Sequence, residues 1–220
     1  MIQQAALDFL KDLRKNNNRD WFHSNKKRYE KDLKKPFAEL VGTLIEVARE
    51  IDSQVDILPK DAIFRINRDT RFSKDKTPYK THVGAIISRF GRKRKEFPGY
   101  YVHIEPGRLM LGGGAYFLPT DMLWKVREHI MKNANEFSTI IHEKDFVEKY
   151  DAIQGKKNKR LPKEIMEAAK TQPLLFNKQF YYMAELPTEI AIMPDFIDFC
   201  RLYFQAAARL NAFLIDGLEA

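Results

Sequence analysis

Residues 99–117 read GYYVHIEPGRLMLGGGAYF. Two runs of aromatic, β-branched and aliphatic residues flank the turn dipeptide Pro106-Gly107, so the stretch predicts an antiparallel hairpin. A turn with two central residues sets its register. Glu105 then sits opposite Arg108, His103 opposite Met110, and Tyr101 opposite Gly112. The other face pairs Ile104 with Leu109 and Val102 with Leu111. Side chains alternate along a strand, so one face is apolar and meets helices, while the other gathers Tyr101, His103, Glu105 and Arg108. The triple glycine Gly112–Gly114 marks a bulge or a close approach of backbone or ligand, and accommodation of Tyr100 and Tyr101 is its expected use. It is not a phosphate-binding loop, because no Gly-Lys-Ser/Thr follows, and it lacks the spaced glycines of a dinucleotide fingerprint.

Upstream, VGAIISRF (83–90) has β-branched residues at strand spacing, and AIFRINRD (62–69) alternates, with Phe64, Ile66 and Arg68 on one side. The first fifty residues read as helical. A first helix carries Leu7, Leu10 and Leu13 on one side and ends in the Asn16–Asn18 run, where Asn18 is the expected N-cap of the next helix. Pro36 suits the first turn of a further helix with Phe37, Leu40, Leu44, Val47 and Ile51 facing the core. Downstream of Pro119 the pattern is helical to about Tyr150. A charged connector, DAIQGKKNKRLPK, and a short helix follow. FNKQFYYMAEL then returns as an edge strand, and a last helix runs from about Asp195 to Leu218. The expectation is one α+β domain: residues 1–58 helical, 60–118 a sheet, 119–220 mainly helical, with the antiparallel sheet packed between the two helical ends.

The 220 residues are 44% hydrophobic with 16 Phe, enough for a sizeable core, so disorder is excluded for most of the chain. A single cysteine, Cys200, excludes an internal disulfide. With no signal-peptide pattern in MIQQAALDFLKDLRK and no apolar run of membrane-spanning length, the expected setting is the cytoplasm and no membrane.

The formal charge is +8, and it is local. Residues 60–95 hold twelve Lys and Arg against three acids, Asp61, Asp69 and Asp75. The centre of this field is RINRDTRFSKDKTPY (65–79). Arg65, Arg68 and Arg71 stand three apart, with Lys74 and Lys76 behind them. Guanidinium forks at such spacing suit carboxylate or phosphate recognition. Thr77 and Tyr79 add hydroxyls. The competing reading is internal, with Asp69, Asp75 and Glu105 binding the arginines and merely shaping the loop.

The five histidines, His23, His82, His103, His129 and His142, sit in no H-x-x-x-H or H-E-x-x-H pattern. No metal or cofactor is assigned. His103 and Glu105 lie two apart on one strand face, a spacing that serves a general acid/base pair or a one-sided metal site with Asp69. Trp21, Phe22 and Tyr29 beside Arg19 and Lys26–Arg28 read either as core with cations on the wet face or as a base-stacking strip. Lys156–Arg160 is a solvated loop, or it enlarges a basic groove if it folds near the arginines.

The order Arg65, Arg68, Asp69, Arg71, Phe72, Asp75, Lys76, Tyr79 fits R-x-x-R-D-x-R-F-x-x-x-D/N-K-x-x-Y without departure. It resembles the defining motif of the bacterial domain-of-unknown-function 2461 family, whose function is unassigned. NNRDWF with NKKRYE (17–30), GYYVHIEPG and GGGAY are similar to the same family. The resemblance covers roughly residues 5–150, and KKNKRLPK is the main similar feature beyond. It implies a shared fold and a shared site, and it carries no activity.

Three functions stay open. The first is binding of a small phosphate- or carboxylate-bearing ligand, with or without catalysis. Its ligand-binding candidates are Arg65, Arg68, Arg71, Asp75, Lys76, Tyr79 and Arg108, and its proton-transfer candidates are Asp69 and His103. The second is nucleic-acid-backbone binding, with steep salt dependence. The third is docking of a protein partner. Fixed Arg, Asp, Lys and Tyr positions favour the first, because a nonspecific backbone binder needs no fixed order.

Overall fold

A computed structural model describes residues 2–220. Four antiparallel strands, β1 (Val83–Ile87), β2 (Tyr100–Glu105), β3 (Arg108–Ala115) and β4 (Phe180–Leu186), form one sheet in the order β1-β2-β3-β4. The fold class is α+β. The β2–β3 hairpin has the register expected from its two-residue turn, including Glu105 opposite Arg108 and His103 opposite Met110. Gly107 at the turn takes φ +89°, a left-handed conformation open to glycine at little cost.

The N-terminal helices are α1 (Gln4–Lys15), α2 (Arg19–Ser24), α3 (Lys26–Arg28), α4 (Lys35–Ile51) and the short α5 (Pro59–Ala62). Asn18 caps α2, its side chain accepting a hydrogen bond from the Trp21 N–H at 2.9 Å. Pro36 lies in the first turn of α4, as expected, although no break precedes it. The chain stays helical from Lys26 to Ile51, with a π-helical stretch at Tyr29–Lys34 ahead of the proline. Proline forbids the ordinary hydrogen bond four residues back, and the wider π turn absorbs the break.

Between β3 and β4 lie α6 (Thr120–Lys132), α7 (Ala134–Ile141), α8 (Lys144–Tyr150), α9 (Lys163–Met166) and α10 (Ala168–Thr171), and α11 (Phe196–Glu219) closes the chain. Helix α11 is the axis of the core. It packs on β3, α4, α6, α7 and α8. Its buried residues include Phe196, Cys200, Phe204, Leu210 and Leu214. Tyr100 stacks on Phe204 with ring centroids 4.1 Å apart, and the buried Tyr182 hydroxyl donates to Asn211 Oδ1 at 3.1 Å. Val102, Ile104, Leu109, Leu111, Phe180 and Tyr182 lie on the face of the sheet that packs on the helices and are at most 1% exposed. Each large apolar side chain so buried contributes about 1.5–3 kcal/mol, and this face specifies the strand register.

Residues 63–80 are not a regular strand. They form an irregular hairpin held by isolated antiparallel bridges, Ile63 with Ala85 and Asn67 with Tyr79. The first bridge, with Phe64 N–H donating to Gly84 O at 2.9 Å, covers the outer edge of β1. The connector after α8 does the same for β4, through bridges from Gln154 to Tyr181 and Lys157 to Asn177. Both sheet edges are thereby protected from edge-to-edge pairing. Lys156–Arg160 lies beside the segment just ahead of β4, its backbone bonded to Phe176 and Lys178, on the side of the sheet opposite the edge that the arginine hairpin covers. Among the described residues no helix is long and apolar enough to cross a membrane.

Candidate functional site

The sheet is packed on one face only. The other face, carrying Ile86, Tyr101, Met110, Tyr181, Met183 and Glu185, lines a cleft of about 940 Å³. Strand parity explains its shape. Gly84 stands opposite His103, Gly112 opposite Tyr101 and Met183, and Gly114 opposite Tyr181. Gly84 and Gly112 leave room on this face for the Tyr101 ring and the Met183 side chain, and Gly114 is the one of the three that lines the cleft. Gly114 also needs its glycine for φ +85°. The middle residue, Gly113, faces the helices instead. A Cβ there would overlap the Gly99 carbonyl oxygen and the Tyr182 hydroxyl. The run therefore accommodates Tyr182, Met183 and the Gly99 backbone, not the expected Tyr100 and Tyr101.

One wall of the cleft comes from the arginine hairpin and the loop after β1, which supply Phe64, Lys80, His82 and Lys95. The other comes from Tyr116, Phe117 and Gln154. Lys80 Nζ lies 5.5 Å and Lys95 Nζ 5.9 Å from the centroid of the Phe64 ring, and Lys95 Nζ lies 5.8 Å from that of Phe117. Neither ammonium forms an ion pair among the described residues. Lys80 donates only to the Arg65 carbonyl, at 2.9 Å. Burial pulls the Lys80 pKa below its ordinary value, and the charges of Arg65 and Lys95 pull it further. The cleft wall therefore holds two ammonium groups without an ion-pair partner among the described residues, and Glu185, the carboxylate in the lining, pairs with Arg108 instead.

The arginine motif itself is bonded mostly to itself. Arg68 donates to Asp75 and to the Thr77 hydroxyl. Asp75 also accepts from the Thr77 N–H at 2.9 Å, and its carboxyl is held down at about 2 by that bond first and by Arg68 next. Arg71 makes a two-pronged pair with Asp69, at 3.0 and 2.7 Å, which lowers the Asp69 pKa to about 2. Lys76 donates to the Thr70 carbonyl at 2.9 Å. Arg71 remains 77% exposed at its side chain and Phe72 is 95% exposed, so this end of the hairpin projects into solvent. Arg65 is exposed and makes no ion pair among the described residues. Tyr79 is buried and stacks on Phe22 at 4.0 Å. Phe22 in turn packs with Phe9 and Tyr29. The N-terminal aromatics are thus core, with their cations on the wet side. None of the sequence candidates, Arg65, Arg68, Asp69, Arg71, Asp75, Lys76, Tyr79, His103 and Arg108, is among the residues that line the cleft.

Glu105 does not serve the arginine triplet. It accepts from Arg108 Nε at 2.6 Å and from Arg14 at 3.4 Å. Beside it, His103 is 7% exposed. Its Nδ1 lies 3.0 Å from the Tyr101 hydroxyl, its Nε2 lies 3.8 Å from Glu105 Oε1, and its ring stacks on His82 at 4.2 Å. Burial, then the neighbouring His82, pushes the His103 pKa down to about 4. His82 is lowered too, by burial and then by Lys80. Both imidazoles are neutral near pH 7. Asp69 is not part of this cluster, and the third member is His82.

Lys80 and Lys95 belong to no motif, and His82 is a weaker catalytic candidate than His103 in the sequence alone. Lys80, His82, Gly84 and Ile86 do alternate onto one strand face, which is a usable signal. The pairing of β1 with β2 that brings His82 to Glu105 depends on a twelve-residue connection that has no such rule.

No curated protein and no solved structure matches the chain. A family model described as conserved hypothetical protein (DUF2461) matches residues 5–213, well past the stretch expected from the motifs. Spanning hairpin, sheet, cleft and most of α11, that match makes the chain a member of the DUF2461 family.

Proposed function

We propose that the protein binds a small organic anion in the cleft. The anionic group, phosphate or carboxylate, is held by Lys80 and Lys95 with Arg65 adding charge, and an apolar or planar body rests on the sheet face among Tyr101, Tyr181 and Phe64. The observation that carries this reading is the pair of ammonium groups over the Phe64 ring, unpaired among the described residues, at a cleft of ligand size. Cations facing a low-dielectric aromatic wall repel one another, and a bound anion relieves that repulsion. In this reading Arg68, Arg71, Asp69, Asp75 and Lys76 set the hairpin that presents Lys80 and Arg65, and Tyr79 anchors it. Arg108 fixes Glu105. Any proton transfer falls to His103, which reaches the cleft through Tyr101.

The test is calorimetric titration with inorganic phosphate, an aromatic monophosphate and its neutral dephosphorylated parent. The aromatic monophosphate binds best. Lys80→Ala and Lys95→Ala each weaken it about 10- to 100-fold, the worth of a charge-assisted hydrogen bond. Arg71→Ala leaves it unchanged. Equal losses in Arg71→Ala and Lys80→Ala overturn the cleft assignment. Binding of a single-stranded oligonucleotide that falls steeply with salt and ignores both lysines favours the backbone-binding reading instead.

A further inference from the structure

We propose that His82, His103 and Glu105 form a site for one divalent transition-metal ion, zinc by ligand type, at the end of the cleft. One ligand atom from each of the three lies within 4.8 Å of the others. The positions follow from the ladder. Val83 pairs with Ile104, so His82 falls opposite Glu105 one step beyond β1, and His103 is Glu105's neighbour on the same face.

The second observation is independent of this convergence. His103 Nε2 is fully buried and has no hydrogen-bond partner among the described residues. Its other nitrogen is occupied by the Tyr101 hydroxyl. If Nδ1–H donates to the tyrosine, Nε2 is a buried lone pair without a donor. If the tyrosine donates to Nδ1, Nε2–H is a buried donor whose nearest acceptor is Glu105, at 3.8 Å, too long for a hydrogen bond. Either state leaves a costly orphan. A metal ion on Nε2 removes it and selects the first tautomer. Tyr101 then plays the part that outer partners play at metal sites, fixing ring orientation through the distal nitrogen.

The remaining ligands suit the same ion. Neutral imidazoles and a carboxylate are borderline donors preferred by zinc over calcium or magnesium. Tetrahedral bonds of about 2.1 Å place ligand atoms about 3.4 Å apart. The 4.8 Å spread therefore closes by side-chain rotation alone. The stacked rings, 23° from parallel, cannot both point at one ion as they stand, and His82 is the ring that turns. It is half-buried, and no side-chain hydrogen bond among the described residues fixes it. Glu105 keeps Arg108 and Arg14 as outer partners, because a carboxylate has about four lone-pair sites. Three protein ligands leave a fourth position open, and His82 lines the cleft, so that position lies on the ligand side.

The site stands independently of the anion reading, and its test uses metal alone. Chelator-stripped protein is titrated with Zn²⁺ by calorimetry and with Co²⁺ by visible absorption. One equivalent binds, and Co²⁺ shows the intense d–d bands of a low-coordinate site. His82→Gln and Glu105→Gln abolish the bands. Tyr101→Phe weakens affinity about tenfold while the protein stays folded by circular dichroism. His82 is partly exposed, so its variant keeps the test valid even if His103→Gln does not fold. Folded wild-type protein that takes up no Co²⁺, or uptake unchanged in His82→Gln, overturns the proposal.

Discussion

The side-chain amide of Asn17 clasps the backbone of Tyr79 from both sides. Its Nδ2 donates to the Tyr79 carbonyl at 2.9 Å, and the Tyr79 N–H donates to its Oδ1 at 3.1 Å. The contact spans 62 residues and joins the turn between α1 and α2 to the end of the arginine motif. Tyr79 is itself bridged to Asn67 and stacked on Phe22, so Asn17 occupies the place of a missing strand neighbour. Two motifs far apart in sequence are one physical unit.

Replacing Asn17 by Ala leaves a part-buried N–H and C=O without partners. Each orphan costs about 1–3 kcal/mol, so Asn17→Ala is expected to lower unfolding free energy by about 2–4 kcal/mol in urea denaturation. Amide exchange should rise at Tyr79 and Lys80 before it rises in the sheet. A change under about 0.5 kcal/mol would show that the clasp contributes nothing net.

Two glycines separate crowding from conformation. Gly113→Ala drives a methyl into the Gly99 carbonyl oxygen and the Tyr182 hydroxyl, and the backbone partner cannot yield. The expected outcome is loss of at least about 3 kcal/mol or failure to fold. Gly107→Ala meets nothing within 4 Å and carries only the strain of φ +89°, about 1 kcal/mol. Comparable midpoints in thermal unfolding for the two variants would refute the crowding argument.

The contrast between these glycines also marks what the sequence reveals. Local rules reach the hairpin register because Pro106-Gly107 and the alternating runs agree, and they reach Asn18 as a cap because capping acts over three residues. They do not reach Gly113, whose constraints are the Gly99 carbonyl and Tyr182, the latter sixty-nine residues away. Nor do they reach the cleft. The arginines dominate the charge pattern, yet Asp69, Asp75 and Thr77 lie close enough in sequence to satisfy Arg68 and Arg71 within the loop. Lys80 and Lys95 are ordinary surface lysines in a linear reading, and only the edge bridge from Ile63 to Ala85 and the fold of the 88–99 loop set both on Phe64.

Arg127 is a buried cation without an acidic partner among the described residues. It is 5% exposed, its Nη2 donates to the Asn177 carbonyl at 3.0 Å, and its Nε has no partner. Burial lowers its pKa. Desolvation of a charge often exceeds what a neutral acceptor returns, so Arg127→Met, which keeps the apolar stem, is expected to leave stability unchanged or raise it by about 1–2 kcal/mol. Arg127→Ala removes the packing too and should cost about 2–4 kcal/mol. A methionine variant as damaged as the alanine variant would mean that the guanidinium itself is needed.

The arginine motif predicts its own acid response. Asp75 and Asp69 both have folded-state pKa values of about 2, against 3.8 ordinarily. Between those values the unfolded chain binds more protons than the folded one, so stability rises with pH. The contribution is complete above about 3.8 and is lost as pH falls through about 2. Both carboxylates are solvent-exposed, so screening shrinks the global effect, and the hairpin is where it should be seen. In nuclear magnetic resonance titrations the Thr77 amide, which donates to Asp75, should shift with a midpoint near 2, and the hairpin amides should lose exchange protection over the same range. Asp75→Asn removes the charge that Arg68 answers. It should flatten that titration, expose the hairpin to protease at neutral pH, and leave β2–β3 amides protected. A Thr77 midpoint at the ordinary carboxylate value would show that Asp75 is not held by Arg68 and Thr77 in solution, and the hairpin would then need another source of order.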